Sequence, residues 1–411
     1  MDLQERIARR RSARRGSRVV VDREQLSPVV HRPEPVGRGP VLEQLLDALE
    51  SVFDGELPPP VAVVGPSGAG TSAIVTALFD ALNQQFGGSD RTIATTTRGG
   101  STEPVTWFVT VDGRHVESPF AFYRAVLSGI SSERVPESGV GTDDLRERLS
   151  DRLARTDRRA IVAIDHHDEP ETLGAERVHE LLTPVEDCTA TVAVGQRAPD
   201  DHRGPTVTVP AYRDHELVDI VTDRASTGLA AGVLDHDAVR ELAGWADGNA
   251  HDALAALFGA AVLASEGDAD RIEPAHLERA WADVPDDGVH VSRALALSKT
   301  RQRVLIELVD LGPGERSIRE IATAIAERSS LTTGTVKRFL YELADRGVIE
   351  RLPLSTADNG SGRRPSTVAV RFPTIAFRAL SRSGGNRRDR TPSASARRSL
   401  GGWAIYFVGP R

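Results

Sequence analysis

The chain has 411 residues, room for two or three domains at about 150 residues each, and 51 basic against 59 acidic side chains leave a formal net charge of −8. No apolar run approaches the roughly 18 residues of a membrane span, and no apolar stretch follows the basic Arg6–Arg11 segment, as a secretory signal requires. A single cysteine, Cys188, excludes an internal disulfide framework and a cysteine zinc cluster, so the expectation is a cytoplasmic protein with no membrane partner.

The charge is unevenly placed. Residues 1–23 carry 8 basic and 3 acidic groups, net +5, and residues 299–411 carry 21 and 10, net +11. Residues 24–298 carry 22 and 46, net −24. An acidic body with basic ends points to a polyanion held by the ends. Arginine outnumbers lysine 49 to 2, the lysines being Lys299 and Lys337. With the acidic body this reads as salt adaptation of a GC-rich source, codon bias being the plainer alternative.

Taken in order, residues 1–30 read as a basic, disordered arm. A helical pattern follows from Gly39-Pro40 through Val41, Leu42, Leu45, Leu46 and Leu49. After Pro58-Pro59-Pro60, Val61–Val64 reads as a buried strand and Thr71–Phe86 as the helix behind it, with a Gly/Ser/Thr-rich loop over 87–104. Further strands are expected at Trp107–Val111, Ile161–Ile164, Thr191–Val194 and Val207–Val209, separated by helices at Phe120–Ser128, Thr142–Leu153 and Ala175–Leu182. Continuous rather than alternating apolar character, with helices between strands, implies a parallel sheet covered on both faces. From Tyr212 the pattern is all helical, over 214–226, 235–246, 249–266 and 274–283, and Asp286-Asp287-Gly288 reads as a linker.

Between the first strand and its helix stands Gly65-Pro66-Ser67-Gly68-Ala69-Gly70-Thr71-Ser72. Glycines there let the backbone fold into a nest of N–H donors at a helix N-terminus, which favours a phosphate. Both glycines of G-x-x-x-x-G-K-[ST] and its last hydroxyl, Ser72, are met, but Thr71 replaces the lysine that would reach the β- and γ-phosphates. The loop could still hold ATP or ADP weakly, with Mg on Ser72 and on Asp165 at the end of the third strand; a bare strand–helix connector is the other reading. After Asp165, where a water-activating glutamate is expected, come His166, His167, Asp168 and Glu169. Adjacent histidines on an extended segment point opposite ways, so this segment reads as an exposed polar loop rather than a chelate.

These residues resemble the AAA+ origin-recognition initiators of archaea, collinearly over about 20–376. Val36-Gly37-Arg38 is similar to the segment lining that family's adenine pocket, Val194-Gly195-Gln196 to its first sensor strand, and Val209-Pro210-Ala211-Tyr212 to its entry to the lid. Val135–Gly139 with Thr142–Leu145, Gly232–Asp235 and Gly248–Ala250 follow in family order. The resemblance implies an α/β P-loop AAA+ core (31–212) with a parallel sheet between helices, an all-α lid (213–285), a C-terminal winged helix (293–376) and a basic disordered tail (377–411). It implies nucleotide contacts from Val36, Arg38, Gly65–Ser72 and Tyr212, and sensor positions at Gln196 and His251. At His251 the family carries an arginine that meets the γ-phosphate. Lysine, acidic water activator and lid arginine are thus replaced together, and loss of one charge-stabilising group typically costs about 10²–10³-fold in rate. The expectation is a paralogue with weakened nucleotide binding and lost hydrolysis.

In the C-terminal unit, Thr300–Leu311, Ser317–Glu327 and Thr332–Arg346 read as three helices, the third burying Val336, Leu340 and Leu343 and turning Thr335, Lys337 and Arg338 outward. In a winged helix that face enters the major groove. A strand at Val348–Leu352, the turn-rich Asp358–Gly362, paired Arg363-Arg364 and a return strand at Thr367–Phe372 make the wing. Net +11 here favours duplex DNA over a protein-interaction role, placing the protein on the nucleoid. Other initiator-family subunits are further expected partners. Two rivals stay open: an active ATP-switched initiator using Asp168 or Glu169 as its acid, and a transcriptional regulator or adaptor with a dead core. The apolar end, Trp403–Val408, has no assigned role.

Overall fold

The computed structural model describes residues 19–87, 105–155, 157–312, 314, 316–354 and 365–384. Arg363, Arg364 and the turn before them, most of the arm, the loop over 88–104 and the chain after 384 lie outside the described residues.

Helices α1 (Arg23–Leu26) and α2 (Gly39–Ala48) precede β1 (Val61–Val64) and α3 (Thr71–Phe86). Next come β2 (Val105–Asp112), α4 (Pro119–Ile130), α5 (Thr142–Leu153), β3 (Arg158–Asp165), α6 (Ala175–Leu182), β4 (Thr189–Gly195) and β5 (Thr206–Thr208). The strands form one sheet in the order β2-β3-β4-β1-β5, every pairing parallel. Val61–Val63 and Ala160–Ile164 are buried on both faces, as their unbroken apolar runs require. Leu45, Ile74 and Phe79 pack one face of the sheet, and Phe122, Leu145 and Leu149 pack the other. Register sets Asp112 opposite Asp165, and Val64 beside both Gly195 and Thr208. The carboxyl ends of the strands therefore open on one crevice, where open α/β sheets hold their ligands.

Four lid helices follow, α7 (Asp214–Gly228), α8 (His236–Trp245), α9 (Ala250–Glu266) and α10 (Pro274–Ala282). After them come α11 (Val291–Ala296), α12 (Lys299–Leu311), α13 (Ile318–Arg328), α14 (Thr333–Asp345), an antiparallel pair β6 (Ile349–Pro353) and β7 (Ser366–Val370), and α15 (Thr374–Gly384). Ala-rich α9 is buried along most of its length, its small side chains letting neighbours approach from several sides. Its Gly259 faces Ala280 of α10 and Ile375 of α15. One continuous apolar core runs from Leu217 and Phe258 in the lid to Leu340 and Phe372 beyond it. The 286–288 segment is correspondingly pinned: the Asp287 carbonyl accepts from the Arg371 guanidinium at 2.6 Å.

Two expected disordered stretches reach into folded structure. Residues 19–30 are not free arm: Val19 and Leu26 are fully buried against the lid, Val20 bridges Leu229, and Asp22 caps α1. Three apolar residues after the arginine run supply the burial that a basic tail lacks. Leu26 lies so close to α7 that a Cβ on Gly228 would stand 2.4 Å from its Cγ. Likewise the tail does not begin at 377. Helix α15 continues to Gly384 with Phe377 buried, and Asp283 of the lid accepts from the Ile375 amide at 2.7 Å and from the Thr374 hydroxyl. Truncating Leu26 to alanine should cost about 2–5 kcal/mol of stability, measured by chemical denaturation; a loss below about 0.5 kcal/mol would return this segment to the arm.

Candidate functional site

At the sheet's carboxyl edge lies a cavity of about 490 Å³, within the range of small-ligand sites. The phosphate-loop candidate forms its floor, residues 28–36 one wall, lid residues from α7 and α9 another, and residues 290–296 a third. Of the predicted nucleotide residues, Val36, Gly65, Pro66, Ser67, Gly68, Gly70, Thr71, Ser72 and Tyr212 line it, as do Asp165, Gln196 and His251.

Arg38 and Ala69 do not. Arg38 is buried beneath the loop, donating to the carbonyls of Ala69 (2.7 Å) and Pro210 (2.9 Å), with its guanidinium 3.5 Å from the Tyr212 ring centroid. It props the loop instead of lining an adenine pocket, because a buried guanidinium takes whatever carbonyls surround it.

The loop has the backbone that its glycines suggest. Gly68 and Gly70 take left-handed φ of 73° and 87°, and a Cβ on Gly68 would fall 1.8 Å from Asn249 Oδ1 of the lid. The lid is seated on it, with Ala250 N–H donating to the Gly68 carbonyl at 3.2 Å. Ser72 donates to Asp165 Oδ1 at 3.0 Å, so the hydroxyl and carboxylate expected to share a magnesium ion are adjacent.

Charge is where the site departs from a polyphosphate binder. Five carboxylates line the cavity (Asp112, Asp165, Asp168, Glu169, Asp223) against three guanidinium groups, Arg32, Arg114 and Arg224. Each of the three is committed: Arg32 to Asp223 at 2.7 Å, Arg114 to both oxygens of Asp112 at 2.9 and 2.8 Å, and Arg224 to the carbonyls of Gln25 (3.0 Å) and Val30. Burial, then the neighbouring Arg32, push Arg224 down to about 10. The cradle and the Ser72–Asp165 pair fit a nucleotide with magnesium, but the charge at the phosphate end does not fit a triphosphate, since among the described residues no uncommitted guanidinium or ammonium lines the cavity to replace the lysine.

The segment after Asp165 is packed, against the expectation of an exposed loop. His166 adopts φ 60° and turns its ring back between Asp165 and Glu169, with Nδ1 3.1 Å from Glu169 Oε1. His167 points the other way, to the Arg197 carbonyl at 3.0 Å. Asp168 accepts the amides of Gln196 and Arg197 at 2.9 and 3.0 Å, and Glu169 pairs with Arg293 at 3.2 Å. These polar residues fold inward because each finds a buried partner, which local pattern does not reveal. Among the described residues no three metal-capable side chains converge.

His251, at the lid sensor position, does not project at the loop as a free side chain. Its Nε2 accepts from the Val291 amide at 3.0 Å, which leaves Nδ1 to donate to Asp252 Oδ1 at 3.0 Å. Its ring stacks on His290 at 4.0 Å and 8°, and His290 Nε2 is hydrogen-bonded to Ser67 Oγ at 3.0 Å. His31, Arg114, His290 and Arg293 carry no motif; only their meeting in space marks them.

On the outer face of α14, Lys337 and Arg338 are exposed, while Thr335 belongs to the helix start, its hydroxyl 2.9 Å from that of the cap residue Thr332. Glu342 is drawn to Arg301 (2.7 Å) and Arg338 (3.5 Å). Lys337 and Arg351 of β6 both approach the Tyr341 ring, adding Arg351 to the basic face.

Fold and site define a P-loop AAA+ protein with a helical lid. Family models match at residues 34–194 (AAA ATPase domain) and 218–282 (Cdc6 AAA+ ATPase-type lid domain). The chain is 25% identical over 358 residues to the ORC1-type DNA replication protein 1 of Aeropyrum pernix, covering 80% of this chain and 87% of that one. It is 24% identical to the ORC1-type DNA replication protein 6 of Halobacterium salinarum, over 78% and 86% of the two chains. The fold is that of the Aeropyrum pernix ORC1 protein solved in complex with DNA (TM-score 0.59, 21% identity, 90% of this chain and 98% of that). Cdc6p of Pyrobaculum aerophilum is also similar, with TM-score 0.50 and 16% identity over 89% and 99% of the chains. The chain belongs to the ORC/Cdc6-like family of AAA+ initiators.

The buried histidines give the site a pH signature. Burial, then the neighbouring charge of His251 and Arg114 among others, hold His290 well below its ordinary value; burial also lowers His31 and His167. His166 is the exception, since its hydrogen bond to Glu169 and the Asp165 charge outweigh burial and raise it. A lowered histidine leaves the unfolded chain with more bound protons below about pH 6.5, by up to roughly 1.4 kcal/mol per pH unit each. A raised one has the opposite sign, its contribution being lost as pH climbs through the folded value. Three against one, stability should fall from pH 7 to pH 5, above the range where Asp112 and Glu169, both held low, would protonate. Denaturation curves at the two pH values test this, and His290→Gln should narrow the difference; stability that rises on acidification contradicts it.

Proposed function

We propose that this protein is a duplex-DNA-binding initiator-family member that works without an ATP hydrolysis cycle, holding DNA through a C-terminal winged helix over 293–376. Tyr341, Lys337, Arg338 and Arg351 form a basic and aromatic face on α14 and β6. Arg363 and Arg364, which lie outside the described residues, are expected from the sequence alone to add phosphate contacts. The related Aeropyrum ORC1 protein, solved in complex with DNA, supports DNA as the partner. Thr335 serves here at the helix start, on the phosphate side, while Lys337 and Arg338 meet the groove.

The observation carrying the loss of hydrolysis is the commitment of every charged group at the phosphate end. Thr71 has no charge, and among the described residues each cavity guanidinium is paired. Transfer chemistry depends on cations and a water-orienting group at the phosphates. Asp168 and Glu169, the two carboxylates that could replace the acid, are tied to the Gln196 and Arg197 amides and to His166 and Arg293. That favours an inactive site over an active switch. Val36, Tyr212 and the Gly65–Ser72 loop would hold, at most, ADP or ATP weakly, with Mg on Ser72 and Asp165 and no contribution from Gln196 or His251.

Two measurements test the reading. Lys337→Ala/Arg338→Ala should weaken duplex binding several-fold at low salt and reduce the salt slope by about one per lost phosphate contact. Unchanged affinity would remove this face. ATP turnover by the purified chain should match the buffer blank, and turnover abolished by Asp165→Ala would overturn the inactive assignment.

A further inference from the structure

Nucleotide in a P-loop protein bridges elements that would otherwise be free to separate. Here four consecutive residues between lid and C-terminal module already make such bridges. His290 is bonded to the loop hydroxyl of Ser67 and stacked on His251. The Val291 amide is bonded to His251 Nε2, so the lid sensor residue spends its acceptor on this segment. Ser292 receives Arg114 Nη1 at 2.8 Å, and Arg114 is the partner of Asp112 at the end of β2. Arg293 pairs with Glu169 and donates to the Pro170 carbonyl at 3.1 Å, just beyond the end of β3. The phosphate loop, the lid sensor and the ends of β2 and β3 are each held by one residue of a four-residue run.

We propose that His290–Arg293 is an intramolecular strap that takes the place of nucleotide, closing the lid on the core and fixing the C-terminal module to both without ligand. The inference rests on the reading of an ATP-independent site and says what replaces the ligand. The arrangement is self-consistent. Val291 is fully buried, Arg293 is 9% exposed, and residues 291–293 are the first turn of α11 with His290 at its N-cap, so the backbone of the strap is fixed by helix as well as by contact. Beyond α11, Arg346 of the C-terminal module pairs with Glu117 of the core at 2.8 Å, so the strap is seconded by a surface contact. Such a surface pair contributes little alone, which leaves the buried strap as the principal link. Because Ser67 and His251 are occupied by protein, an incoming nucleotide has to displace His290 to engage them.

The test uses the full-length chain and two variants. Val291→Pro deletes the amide donor and exchanges one buried apolar side chain for another: position 291 is the first residue of α11, where proline is tolerated, and His290 has ψ 137°, suited to a following proline. His290→Ala deletes the imidazole. Amide exchange in 65–72 and 250–252 should accelerate about tenfold in both variants, and MgADP affinity, read by calorimetry, should rise by a similar factor. Wild-type exchange should not change with millimolar MgADP. Acceleration confined to 290–296, or a wild-type loop that slows further with MgADP, would overturn the strap. If His290→Ala does not fold, Val291→Pro decides alone. Duplex affinity on the same preparations separates the two proposals: a wild type that ignores DNA strikes the DNA-binding reading and leaves the exchange result standing.

Discussion

Carboxylates crowd at the edge of the sheet, and their neutralisation organises the site. Parallel register sets Asp112 directly against Asp165, and Asp168 and Glu169 follow within one turn. Two ionised carboxylates side by side in a partly dry cavity repel unless cations intervene. In a nucleotide-driven protein a magnesium ion and a lysine share that task. Here it falls to Arg114 on Asp112, His166 between Asp165 and Glu169, and Arg293 on Glu169. The direction of each shift agrees. Against the cost of burial, His115 and Arg114 hold Asp112 low, and His166 and Arg293 do the same for Glu169.

The same neutralising groups reach beyond the core. Arg114 passes one nitrogen to Ser292, and Arg293 belongs to the chain leading into the C-terminal module. Electrostatic relief at the strand ends and attachment of the next domain are therefore one set of contacts. The lid completes the joint from the other side, because its apolar core is continuous with that of the following helices and with α15. Lid and C-terminal module consequently share burial, and residues 290–293 meet the core beside the Ala250–Gly68 and Arg346–Glu117 contacts.

The charge asymmetry of the sequence has a structural counterpart. The net −24 of residues 24–298 includes a crevice lined by five carboxylates, and the net +11 after them includes Lys337 and Arg338 on α14 and Arg351 on β6. Aromatic rings beside those cations, Tyr341 and Phe339, stiffen side chains that would otherwise lose more entropy on binding a polyanion.

What the sequence by itself determined was everything with a local cause. Val61–Val64 announced a buried strand, the glycines of 65–70 a phosphate-loop nest at a helix start, Ala-rich 249–266 a core helix, and the missing lysine at Thr71 a charge deficit. The alternation of these elements was enough for the parallel sheet, and the motif order for the family. Tertiary structure alone decided what the polar residues do. Arg38 supports the loop from below, His166–Glu169 turn inward, and His290 meets Ser67 across more than two hundred residues of chain. Apolar burial imposes a periodicity that survives in sequence, whereas a buried polar side chain needs only a partner at the right distance, and that partner can come from anywhere in the chain.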